Sequence, residues 1–225
     1  MIKNISNLGD AAAYCDFGNE VNKKTNTNVI KFFKSIKKKN FDFICNLTPS
    51  YNKLIISFDL KKTNFNEIKK LIENIEIIKD EKLLSKHVEI PVCCDTSLSL
   101  DIERVEEKLK LERDKIFENF LSKEYFCYMT GFVAGMPFLG DLDKNMRVKR
   151  LETPRVKVPK GAVGITEQFA NVYTFESPGG WNIIGNTPLE IFNTNNENEP
   201  NLINPGDTIS FNMITIEEFK QINDN

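Results

Sequence analysis

The residue types best suited to chemistry lie between Arg150 and Trp181. Glu176-Ser177-Pro178-Gly179-Gly180-Trp181 sets a carboxylate beside a glycine corner and the chain's single tryptophan. A carboxylate next to a turn with a broad aromatic platform can wall a pocket. Glu176 could orient an amide or a bound water; an ion pair with Arg155 or Arg150 accounts for it equally well. Glu176 and Arg155 are the candidate catalytic pair. Ser177, Gly179, Gly180 and Trp181 are the candidate substrate contacts, with Arg150 and Lys160 as weaker anion contacts. Pro178-Gly179 has the composition of a type II turn, with φ fixed at the first central residue and positive at the second.

These residues need a scaffold, and the stretch from Tyr125 to Pro188 reads as one. Short strands there are interrupted by glycine-bearing corners, the pattern of a compact β-barrel. The glycines from Gly135 to Gly140 supply positive φ and close backbone approach at such a corner, and could also leave N–H groups facing an anion. A last strand, Thr208 to Met213, suits a barrel edge. The polar end beyond Ile214 is expected to fray or form one helical turn.

The amino-terminal half reads as strand pair, helix, two strands, helix, strand. Ile5 to Phe17 turns at Gly9-Asp10, and Val21 to Lys39 has a helical rhythm. Phe41 to Leu47 and Leu54 to Leu60 are strands, and Asn64 or Asn66 caps a second helix. With Lys86 to Val92 as closing strand this is the order of a ferredoxin-like sandwich. Asp101 to Lys123 reads as two short helices linking the lobes. The expected divisions are 1–92, 93–124 and 125–225, and the fold class is α+β.

Composition excludes several functions. A net charge of −2 gives no reason to expect nucleic-acid binding, and the lysines from Lys31 to Lys39 read as a solvated helix face. No apolar run is long enough to span a bilayer and the first residues lack a secretion signal's apolar core, so the cytoplasm is expected. Five cysteines without CxxC spacing read as free thiols rather than disulfides or a metal site. His87, the only histidine, has no acidic or cysteine partner near it in sequence and reads as structural. There is no Ser/His/Asp set, no G-x-x-x-x-G-K-[ST] and no GxGxxG. A chain so equipped needs a partner protein to handle ATP.

A set of ordered segments carries a family resemblance. These are Gly131-Phe132 with Gly135-Met136-Pro137-Phe138-Leu139-Gly140, Thr153-Pro154-Arg155, Val158-Pro159 with Gly161 and Val163-Gly164-Ile165, Glu176 to Trp181, and Ile184-Gly185 with Thr187-Pro188. In this order they resemble the carboxyltransferase subdomain C/D family. It comprises the B subunit of the bacterial ATP-dependent 5-oxoprolinase, the sporulation-kinase inhibitor KipI and the first subunit of allophanate hydrolase. The resemblance implies a cyclophilin-like barrel and a homologous larger partner, the C subunit of 5-oxoprolinase, with the A subunit as a further candidate. It implies ATP bound jointly with that partner, leaves room for Mg2+, and implies opening of the lactam 5-oxoproline to L-glutamate. Two alternatives stay open, a non-catalytic inhibitor of a histidine kinase and a component of an allophanate hydrolase or urea carboxylase. The chain departs from the family where a histidine is usual (Phe120), at two usual arginines (Phe126 and Asn186), and at the glycine-glutamine-threonine run, here Thr166 to Asn171.

Overall fold

The computed structural model describes residues 2–78 and 85–224. They form two compact units, Met1–Lys86 and His87–Asn225.

In the first unit β1 (Asn4–Asn7) and β2 (Ala12–Asp16) form a hairpin, followed by α1 (Lys23–Lys39), β3 (Ile44–Pro49), β4 (Lys53–Phe58) and α2 (Phe65–Asn74). The sheet runs β1-β2-β4-β3, antiparallel throughout. Alternation on β2 and β4 sends Ala13, Cys15, Leu54, Ile56 and Phe58 to one face, where they meet Val29 and Ile36 of α1 and Ile68 and Ile72 of α2. Each fully buried aliphatic side chain of this kind contributes about 1.5–3 kcal/mol. Asn22 starts α1 by accepting from the Thr25 N–H at 2.8 Å. Asn64, rather than Asn66, caps α2 through the amides of Asn66 and Glu67.

The ferredoxin-like reading needs one correction. The edge place expected for residues 86–92 is filled by β1, and β5 (His87–Cys93) belongs to the second unit, where it pairs in parallel with β13 (Thr208–Ile214). The boundary therefore falls after Lys86 rather than Val92. An amino-terminal hairpin satisfies the same sheet edge that a late strand would, which leaves β5 available for the barrel.

The second unit is a closed barrel of seven strands in the order β10-β7-β6-β13-β5-β12-β9. The remaining members are β6 (Tyr125–Thr130), β7 (Pro137–Gly140), β9 (Ala162–Thr166), β10 (Phe169–Val172) and β12 (Asn182–Asn186). β13 is thus no edge: β5 flanks it on one side and β6 on the other. The barrel interior holds Val88, Ile90, Val92, Tyr125, Cys127, Leu139, Val163, Ile165, Ile184, Ile209 and Phe211. Residues 93–124 are not a detached link. α3 (Ile102–Leu109) and α4 (Arg113–Leu121) bury Ile102, Val105, Ile116, Phe117 and Phe120 in the same core. Beyond Ile214 the chain forms α5 (Ile216–Asn223) rather than one turn, because Thr215 and Glu218 close a reciprocal capping box.

Among the described residues all five cysteines are free thiols. Burial pushes Cys15 and Cys94 up to about 12, and Cys127 is raised by the same cause. Cys45 alone is exposed. Brief iodoacetamide treatment at neutral pH is therefore expected to label Cys45 first, read by peptide mass spectrometry; equal labelling of Cys15 or Cys127 would contradict the burial described here. No helix among the described residues is long and apolar enough to cross a membrane.

Candidate substrate-binding site

Strand alternation gives the barrel a second, smaller core on its outer wall. Val163, Ile165, Ala170 and Val172 point inward, so Ala162, Gly164 and Asn171 must point outward. Ala162, Ile183, Met136, Tyr173 and Val158 form the outer cluster, with Phe138 packed against it. Covering it is a two-stranded ribbon of β8 (Arg155–Val158) and β11 (Ser177–Gly179).

Pro178-Gly179 is therefore not a type II turn. Ser177 pairs with Val158 and Gly179 with Arg155, with a register shift between them; Gly179 is absent from the glycines of positive φ. Glycine is required there for space. A Cβ would lie 2.8 Å from Tyr173 Cζ and nearer still to its hydroxyl. Pro178 falls at the irregular position, where its missing N–H costs the ladder least.

Arg155 sits at the ribbon's root but is already engaged. Its guanidinium donates to both oxygens of Asp101, at 2.9 and 2.6 Å, and the buried Asp101 carboxylate also accepts from the Ile183 N–H at 2.8 Å. Asp101, at the start of α3, ties that helix to β12 and β8. Its position resembles an ordinary N-cap in sequence, so nothing there marks it as an anchor. Glu176 pairs with neither Arg155 nor Arg150. It meets Lys157 at 2.9 Å, both side chains well exposed, where water screens the pair. Glu176→Ala is expected to leave the midpoint of urea unfolding unchanged, and a clear loss would show that the pair braces the ribbon. Lys160 is bound to Glu190 at 3.0 Å. Ser177 Oγ donates locally to the Phe175 carbonyl at 3.2 Å.

The arrangement that remains is compact. The Arg150 guanidinium lies over Gly180, where a Cβ would stand 3.4 Å from Nη2. No ion pair joins it to a carboxylate among the described residues. Trp181 is half-buried and meets Phe138 edge-to-face at 5.6 Å. Burial raises the pKa of the Tyr173 hydroxyl, and the Asn171 side chain and the Trp181 backbone beside it pull the other way. The structure thus brings Arg150, Gly179, Gly180 and Trp181 together, leaves Glu176 and Lys160 in surface ion pairs, and uses Arg155 as a clamp. Asn171, Tyr173 and Phe138 join the site without having been singled out, for each reads as routine strand alternation.

The positions where the family's polar groups are missing are filled. Phe120 packs on Phe211 and Tyr125, with ring centroids 4.8 and 5.2 Å apart. Phe126 meets Tyr128 edge-to-face at 5.1 Å. Asn186 Nδ2 donates to the Lys160 carbonyl at 3.1 Å and braces the turn at Gly161. His87 also differs from expectation. It lies in the barrel unit, and its ring contacts Thr208 Oγ1 at 2.9 Å, Ser210 Oγ at 3.0 Å and Glu124 at 3.2 Å. Arg155, Lys157 and Lys160 are each engaged by a carboxylate.

The α+β chain thus combines a closed barrel, a ribbon over its outer wall and, at a glycine corner, an arginine with no carboxylate partner among the described residues. It belongs to the carboxyltransferase domain, subdomain C and D, family, whose profile matches residues 3–203. The chain is 32% identical to the 5-oxoprolinase B subunit of Bacillus subtilis (strain 168) over 96% of this chain and 94% of that one. It is 22% identical to urea amidolyase of Saccharomyces cerevisiae over 95% of this chain and 13% of that protein. Its fold matches the crystal structure of TTHA0988 with a TM-score of 0.83 at 25% identity, over 91% of this chain. The chain spans 40% of that longer chain.

Proposed function

We propose that this chain is the B subunit of an ATP-dependent 5-oxoprolinase, opening 5-oxoproline to L-glutamate with a larger homologous partner. The observation that carries the reading is the match to a protein of that name over nearly the full length of both chains. A lactam carbonyl is a poor electrophile; transfer of a phosphoryl group from ATP to its oxygen would let water add at the carbon, after which the ring C–N bond breaks with the nitrogen taking a proton, and hydrolysis of the resulting acyl phosphate releases phosphate and L-glutamate. The side chains here suit binding and orientation rather than that activation. Arg150 takes the substrate carboxylate, while the corner at Gly179 and Gly180 lets the backbone approach closely. Activation and water attack fall to groups of the partner, which would also hold ATP and any Mg2+.

Arg150→Ala is accordingly expected to raise KM for 5-oxoproline about tenfold or more in the assembled complex, because a hydrogen bond to a charged group contributes about 1.5–3 kcal/mol. Unfolding temperature should not change. An unaltered KM would remove Arg150 from the site. The reading as a whole is tested in extracts of the host lacking this chain, where ATP-dependent glutamate formation from 5-oxoproline should fall to background and return when purified chain is added. Undiminished formation in the depleted extract would contradict it. The burial of Phe120 in the barrel core and of Phe126 against Tyr128 favours one second reading, a non-catalytic inhibitor that has kept the fold, and depletion would then leave 5-oxoproline turnover intact.

A further inference from the structure

Asn171 carries a hydrogen-bonding group that the fold does not use. The residue is 1% exposed, and its Oδ1 is buried without a donor. The amide nitrogen has one weak contact, to Met136 Sδ at 3.9 Å. Turning the amide over would only replace an unpaired acceptor with an unpaired donor. A buried polar atom left in this state costs stability, and a small apolar residue on β10 would avoid the cost. Such groups persist where a ligand completes them.

The surroundings indicate what would complete it. Asn171 pairs across the sheet with Gly164 on one side and Phe138 on the other. A Cβ at Gly164 would stand 2.7 Å from Asn171 Oδ1 and 3.1 Å from Trp181 Cβ, so glycine is needed there for the carbonyl and the base of Trp181 to pack side by side against β9. The Trp181 and Phe138 rings, both half-buried, meet next to it. Beyond Trp181 the chain runs through Gly180, where Arg150 lies. An acceptor, two aromatic faces and a cation therefore follow one another along one wall of the barrel.

We propose that Asn171, Trp181, Phe138 and Arg150 form a subsite for a small cyclic amide bearing a carboxylate. The ring N–H donates to Asn171 Oδ1, the apolar ring edge packs against Trp181 and Phe138, and the carboxylate meets Arg150. Entry requires the Trp181 ring to turn away from Phe138, which costs one edge-to-face contact and no buried charge. The identity of the ligand rests on the 5-oxoprolinase reading. The residues assigned, and the claim that this chain binds the lactam without its partner, go beyond it.

The test is binding to the purified chain alone, by isothermal calorimetry, with 5-oxoproline and with 2-pyrrolidone, which has the lactam and no carboxylate. The wild type should bind both, 5-oxoproline more tightly. Asn171→Ala should weaken both at least tenfold and unfold at the same or a higher temperature, since it removes the unpaired carbonyl. Arg150→Ala should weaken 5-oxoproline and leave 2-pyrrolidone unchanged. The subsite is overturned by unchanged affinity in Asn171→Ala, by a marked fall in its unfolding temperature, or by no binding to the wild type. Turnover by the complex separates the two claims. Normal turnover with an unchanged KM in Asn171→Ala removes the subsite and leaves the function standing; lactam binding without turnover in any assembly removes the function and leaves the subsite.

Discussion

Asp101→Ala is expected to lower stability by about 3 kcal/mol, one of the two largest effects anticipated for this chain. The substitution removes an acceptor of three hydrogen bonds, two from Arg155 and one from the Ile183 N–H. Ile183 is then left with a buried, unpaired amide, and the guanidinium loses its counter-charge. Because the Arg155 side chain is 29% exposed, water can recover part of its loss, which keeps the estimate at the lower end of the range for breaking a buried pair. Arg155→Ala strands the carboxylate instead, at 5% side-chain exposure, and should cost a similar amount. The double variant should be much less destabilised than the sum, since each single change leaves the other partner unsatisfied. Urea unfolding of the four proteins measures this. A loss below about 1 kcal/mol in Asp101→Ala would show that the ribbon is held by its apolar contacts alone, a value typical of surface pairs.

Gly179→Ala is the second large effect, expected to cost about 2–3 kcal/mol and to abolish lactam binding. The added methyl would overlap the Tyr173 ring and hydroxyl. Tyr173 cannot retreat, being 1% exposed and packed against Met136, Val158 and Ile183 in the outer cluster. The ribbon must lift, carrying Gly180 and Trp181 with it. Tyr173→Phe in the same chain relieves the contact with the hydroxyl but not the one with the ring carbon, so rescue should be partial. Wild-type stability in Gly179→Ala would mean that the ribbon adapts without strain, and the close approach would lose its significance. Thermal unfolding together with 5-oxoproline calorimetry distinguishes these outcomes.

What could be read from the sequence, and what could not, follows from the range of the interactions involved. Helix periods, the Asn64 cap and the glycine-punctuated strands of the barrel are local patterns, and they were legible. The sheet that β5 joins was not, because its partner is β13, and His87 and Thr208 lie 121 residues apart. Sequential order alone placed β5 beside the nearer strands. The Pro-Gly pair spells a turn locally, but the requirement for glycine at 179 comes from Tyr173, which only the folded ribbon brings near. The clamp between Arg155 and Asp101 is equally non-local, since Asp101 sits 54 residues before its partner. The capping box of α5 was visible as Thr215 and Glu218 and was outweighed by the polar composition of the tail. Asn171 had no signal at all: its significance lies in a hydrogen bond that is not made.

The most direct measurement of the central claim is ATP-dependent release of glutamate from 5-oxoproline, with this chain and its larger partner purified separately and then mixed. The account predicts turnover in the mixture and none from this chain alone, with a KM that rises about tenfold or more in Arg150→Ala. A stable complex that releases no glutamate would contradict it, and would make this chain a scaffold or inhibitor that retains the family's barrel without its reaction.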